Sequence, residues 1–110
     1  MRERAAELER PVIACLGLSY KKDVGDLRES PAVEIVRRLA EERAGELLVV
    51  EPHIPALPPE LSRLGLQLQD LGRALESANL VLLLVDHTGF LRVDRGLLEG
   101  KIVLDTRGAW

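Results

Sequence analysis

The feature that most constrains this chain is Val12–Leu16, a short apolar run that contains β-branched residues and never alternates with polar ones. A strand that shows neither face to water belongs inside a parallel sheet, because only crossover helices can cover both faces at once. The sequence downstream supplies such a helix. Ser30 followed by Pro31 reads as an N-cap with proline at the first helical position, where a missing N–H costs nothing and φ is already suitable. Ala32, Ile35, Val36, Leu39 and Ala40 then recur at three- and four-residue spacing, with Glu34, Arg37, Arg38, Glu41 and Glu42 on the other face. A helix is expected from about residue 31.

The same alternation continues. Leu47–Val50, within Glu46–Glu51 and reached through Gly45 at the end of that helix, reads as a second strand stopped by Pro52. Pro52, Pro55, Pro58 and Pro59 exclude a long regular element next and leave room for a helical turn at Pro59–Arg63. Leu66–Leu68 suits a brief strand, Asp70 caps a helix over Leu71–Ser77, and Asn79–Val85 is the most apolar strand and so the expected centre of the sheet. A helical piece at Arg95–Glu99 precedes a last strand, Lys101–Asp105. Strands alternating with helices predict an α/β fold, a Rossmann-like, doubly wound, mostly parallel sheet in three α/β/α layers.

Composition narrows the partners. A length of 110 residues encloses one small domain. A formal charge of −3, a pI near 5.4 and only Tyr20, Phe90 and Trp110 as aromatic residues argue against a nucleic-acid partner. The single cysteine excludes an internal disulfide and suits a reducing cytoplasm, and Cys15 inside the first strand reads as a small buried hydrophobe. No cysteine and histidine set has structural zinc spacing, and Asp23–Asp26 lacks the ligand spacing of a calcium loop, so no metal site is expected. Residues 1–10 are charged rather than signal-like, and Leu80–Val85 is too short to span a bilayer, so no membrane association is expected.

The chemistry concentrates between the first strand and the first helix. The segment GLSYKKDVGDLRESP, Gly17–Pro31, sets Lys21, Lys22 and Arg28 in a loop at the strand's carboxyl end, where open α/β sheets bind ligands and anions are the natural guests. The competing reading is a solvated loop in which these cations pair with Asp23, Asp26 and Glu29. The glycine-rich dinucleotide fingerprint GxGxxG is absent: after Gly17 come Leu18, Ser19, Tyr20, Lys21 and Lys22. Side chains must therefore take over from main-chain contacts. His53 and His87 follow the second and fourth expected strands, and Asp86 reads as a turn or helix cap. A hydrolase triad of Ser19, His87 and Asp105 lacks the nucleophile elbow GxSxG that would support it.

The segment YKKDVGDLRESPAVEIVRRL resembles the signature that opens the C-terminal, nucleotide-binding domain of the UDP-glucose/GDP-mannose dehydrogenase family. VVEPHI (Val49–Ile54), SANLVLLLVDHTGF (Ser77–Phe90) and IVLDTRGAW (Ile102–Trp110) fall in the family's order and approximate spacing, so the likeness covers nearly all of residues 11–110. VEPHI, LVDH and DTRG with Gly108 look most like the branch acting on UDP-N-acetyl-D-mannosamine; the UDP-glucose branch more often has asparagine at Gly108. The resemblance implies a UDP-sugar-binding domain at 11–110, with 1–10 a remnant of the connecting segment. Tyr20, Lys21 and Arg107 would contact the UDP-sugar, and Arg28 would reach NAD, itself held mainly by an N-terminal domain. It implies oxidation of a hexose C6 alcohol for surface polysaccharide synthesis, through a catalytic cysteine in preceding domains and not Cys15, so this chain alone is expected to be inactive. The partners implied are the NAD-binding and central domains of the same enzyme and, in the full-length protein, a homodimer. A UDP-glucose 6-dehydrogenase domain and a non-catalytic nucleotide-binding regulatory module remain as alternatives.

Overall fold

The computed structural model describes residues 11–19, 30–93 and 95–106. Its sheet has four strands in the order β2-β1-β3-β4, all parallel: β1 (Val12–Leu16), β2 (Glu46–Val50), β3 (Leu80–Leu83) and β4 (Ile102–Asp105). Register is continuous across the centre, with Cys15 facing Val49 on one side and Leu82 on the other. The helices are α1 (Pro31–Glu41), α2 (Pro59–Ser62), α3 (Leu71–Ser77) and α4 (Thr88–Leu91), with a 3-10 turn at Arg95–Leu98. Leu68 meets β2 through one parallel bridge to Val49, which is all that forms of the expected Leu66–Leu68 strand.

Alternation along the buried strands feeds two cores. Ile13, Cys15, Leu47 and Val49 face α1 and α2, packing with Val33, Val36 and Leu61, whereas Ala14, Leu16, Val50, Val81 and Leu83 face α3 and α4, packing with Ala74, Leu75 and Phe90. Helices on both faces make the expected three layers, and the aliphatic runs are unalternated because both faces are covered. Inside this core, burial pushes the Cys15 thiol up to about 12, which leaves it protonated and unreactive at neutral pH.

Ends of elements follow local chemistry, with two departures from expectation. Asp70 caps α3 by accepting from Arg73 N–H at 3.3 Å. Ser30 occupies the N-cap position of α1, yet its hydroxyl makes no capping bond and instead donates to the Leu18 carbonyl at 2.5 Å. At the other end of α1 the left-handed residue is Arg43 (φ 54°), with Ala44 N–H returning to Leu39 O at 3.1 Å, the wrapping bond of a Schellman-type ending. Gly45 serves close approach instead: a Cβ there would lie 2.2 Å from the Pro11 carbonyl oxygen.

Candidate functional site at the carboxyl rim

The strand order places a topological switch point between β1 and β3, because the chain crosses from β1 to β2 on one side and later returns to β3 on the other. Gly17 makes that junction possible. Its φ is +100°, and a Cβ on it would lie 2.6 Å from Val85 Cβ, so the exits of β1 and β3 press together over a residue with no side chain.

The buried polar or charged residues of the described chain are Ser19, Ser30, Glu51 and His87, and all four lie at this rim. Glu51, just past β2, points inward and is only 3% exposed. Its Oε1 accepts from the N–H groups of Leu18 at 2.8 Å and Ser19 at 3.1 Å, and lies 2.8 Å from His87 Nε2. Its Oε2 accepts from the N–H of His53 at 3.0 Å. Burial alone pushes the Glu51 carboxyl up, but the hydrogen bonds from His87, Leu18 and His53 and the electrostatic attraction of His87 outweigh it and hold the group below its ordinary value of 4.5.

His87 is fully buried, wedged between rings: His53 meets it edge-on at 4.5 Å and Phe90 lies tilted at 5.3 Å. It precedes α4, whose N-cap it occupies in place of Asp86. His87 Nε2 also lies 3.2 Å from Ser19 Oγ. This resembles a triad but cannot act as one. An ionised carboxylate only accepts, so the nitrogen facing Glu51 carries the proton, and that same nitrogen faces Ser19. A nucleophilic serine needs the deprotonated nitrogen of an imidazole whose other nitrogen is held by the acid. Asp105, on edge strand β4, is not the acid that meets His87 here.

One ligand atom from each of Glu51, His53 and His87 lies within 4.8 Å of the others. Zinc bonds of about 2.0–2.1 Å set tetrahedral donors about 3.3 Å apart. A metal would therefore have to displace the proton shared by His87 and Glu51 and draw the exposed His53 inward.

The residues singled out in the sequence for ligand contact, Tyr20, Lys21, Arg28 and Arg107, lie outside the described residues. Their described neighbours are placed at the rim. Ser19 precedes residues 20–29, and the flanking Leu18 and Ser30 are tied by the Ser30 hydroxyl. Thr106 ends the described chain with its N–H and hydroxyl both donating to Leu83 O, at 3.2 and 2.6 Å. The role of Glu51 escaped the sequence reading. Its one signal is an acid ending a strand buried on both faces, where an unpaired carboxylate would be costly.

Geometry thus defines a class, an open parallel α/β domain of Rossmann-like topology whose polar interior gathers at the switch-point rim. Residues 14–110 match the UDP binding domain of the UDP-glucose/GDP-mannose dehydrogenase family, and the chain belongs to that family. It is 47% identical over 110 residues to an NDP-N-acetyl-D-galactosaminuronic acid dehydrogenase of Ralstonia solanacearum, covering 100% of this chain and 26% of the relative. It is 43% identical over 108 residues to a UDP-N-acetyl-D-mannosamine dehydrogenase of Yersinia pestis, covering 98% and 25%. The solved UDP-N-acetyl-mannosamine dehydrogenase of Staphylococcus aureus superposes with a TM-score of 0.73 at 30% identity, over 96% of this chain and 24% of that one. The chain thus spans about a quarter of the length of the curated relatives it matches.

Proposed function

We propose that this chain is the UDP-sugar-binding domain of an NAD-dependent dehydrogenase that oxidises the C6 alcohol of a UDP-hexose, of the N-acetylmannosamine kind, to the uronic acid for surface polysaccharide synthesis. The match of residues 14–110 to the family's UDP binding domain carries this reading. Relatives named for two different N-acetylated sugars support an amino-sugar nucleotide more than UDP-glucose. Catalytic cysteine and most NAD contacts belong to further domains, with the complete enzyme a homodimer.

The domain's contribution is positioning. Lys21 and Arg107 follow rim residues in the sequence, and two cations converging on a diphosphate would anchor the substrate through charge-assisted hydrogen bonds. Tyr20 would lie against the nucleotide sugar, and Arg28 would fork onto NAD phosphate across the domain boundary. Anchoring the diphosphate holds C6 toward the nicotinamide and the nucleophile, which turns a bimolecular encounter into an oriented one.

Titration calorimetry of the chain with UDP and with inorganic phosphate tests this. UDP binding that is tighter than phosphate binding, and weakened about tenfold or more by Lys21→Ala or Arg107→Ala, is the expected result. Equal affinity for the two, or indifference to both substitutions, overturns the reading.

A further inference from the structure

In dinucleotide-binding α/β domains, main-chain N–H groups after the first strand face the cofactor pyrophosphate, and glycines let the phosphates approach. Here the two N–H groups that follow Gly17, those of Leu18 and Ser19, converge on a single oxygen, Glu51 Oε1, at 2.8 and 3.1 Å. Successive N–H groups turned toward one point form a concave nest that suits an anion. His87 Nε2 joins the same oxygen at 2.8 Å, so the nest has the donors an oxyanion would use.

We propose that Glu51 is a built-in anion: its carboxylate fills the main-chain anion site at the β1–β3 switch point, refuses a cofactor pyrophosphate there, and leaves phosphate recognition to side chains. Three observations converge on this. The carboxylate is buried at the rim where a ligand anion would sit, and among the described residues its partners are main-chain N–H groups and His87, never lysine or arginine. Dinucleotide folds use an acid at this end of the sheet to accept from a ribose hydroxyl, and a carboxylate turned inward onto four donors cannot do so. The group is also held in its charged form, below the ordinary glutamate value, despite burial. Glu51 is therefore a specificity-determining residue that acts by exclusion, whichever nucleotide the side chains bind.

Chemical rescue tests it. Thermal melts of the chain and of Glu51→Ala are compared in chloride, acetate and inorganic phosphate at matched ionic strength. The unaltered chain, whose main-chain site is filled, sets the baseline: its shifts among the three salts report the general salt effect and any phosphate held by side chains. Glu51→Ala should melt about 10 °C lower in chloride, having left buried donors unpaired, and regain several degrees in acetate or phosphate beyond the shift of the unaltered chain, saturably, as the free anion refills the site. A Glu51→Ala shift in acetate and phosphate no larger than that of the unaltered chain overturns the proposal. If Glu51→Ala is unfolded in chloride, folding restored by acetate supports it. If it is unfolded in every salt, Glu51→Gln, which keeps the shape and loses the charge, decides. Exchange of the Leu18 and Ser19 amide protons should then accelerate at least about tenfold beyond the global change in stability, whereas exchange that tracks global stability alone overturns the proposal. The probes contain no nucleotide, so the outcome is separable from that of the UDP titration.

Discussion

A methyl group on Gly17 probes the β1–β3 junction on which the rim depends. Two costs add in Gly17→Ala. The residue sits at φ +100°, where an L side chain meets its own carbonyl, at about 1–2 kcal/mol. The new Cβ would also lie 2.6 Å from Val85 Cβ, 2.9 Å from its Cγ2 and 3.0 Å from its nitrogen, an overlap that core side chains and backbone relieve only by shifting, at about 1–3 kcal/mol. The sum, about 2–5 kcal/mol, is a large share of the roughly 5–15 kcal/mol typical of a whole domain. Any shift also strains the Gly17 N–H bond to Val50 O at 2.8 Å, which ties β1 to β2. Urea unfolding followed by circular dichroism reads the effect, with Val85→Ala and the double variant completing a cycle. Val85→Ala removes the Cγ2 overlap but leaves Cβ, nitrogen and the φ strain, so the pair should couple by only about 1 kcal/mol. A Gly17→Ala loss under about 1 kcal/mol, or strictly additive singles, would refute the reasoning.

Glu51 makes the fold sensitive to acid in a stated direction. Its native pKa lies below the ordinary 4.5, so between the two values the unfolded chain binds more protons and stability rises with pH. The contribution is fully present above the ordinary value and is lost as pH falls through the native one. Urea midpoints measured from about neutrality to about pH 3 should fall more steeply for the unaltered chain than for Glu51→Gln, in which His53 and His87 remain; parallel curves would remove the carboxylate from the account. Cys15, buried with its thiol raised to about 12, should resist iodoacetamide at neutral pH and react once the chain is unfolded in urea. Mass spectrometry showing native alkylation as fast as in urea would contradict the buried β1.

What the sequence made legible was whatever its periodicity encodes. Val12–Leu16 and Leu47–Val50 read as strands because unalternated aliphatic runs admit one environment, and Ser30–Pro31 and Asp70 marked two helix starts within a residue. The short α4 at Thr88–Leu91 escaped, since four residues carry no period, and its N-cap is His87, one residue after the expected turn or cap at Asp86. Gly45 looked like a helix terminator because glycine favours positive φ, but Arg43 took that conformation while Gly45 made room for Pro11. Glu51 was hidden for a deeper reason. Its distant partners are two main-chain N–H groups 32 and 33 residues away and a histidine 36 residues away, and main-chain donors have no letter in a sequence.

The clamped residues on either side of 20–29 connect the fold to the proposed ligand. Residues 20–29 begin after Ser19, whose N–H is held by Glu51, and end before Ser30, whose hydroxyl holds the Leu18 carbonyl. Both flanking residues are therefore held by buried groups of the domain itself. Fixing the ends of a segment lowers the number of conformations left to lose on binding, which is the entropic part of preorganisation. A glycine-rich turn presents its own N–H groups and needs no such clamp. A loop that recognises phosphate through lysine and arginine gains charge and reach but must hold long side chains in place, so a rigid base is worth more to it. The carboxylate proposed to close the main-chain anion site is the same one that holds Ser19, the residue before 20–29. One buried acid thus connects the absence of the glycine-rich fingerprint to the proposed recognition by side chains.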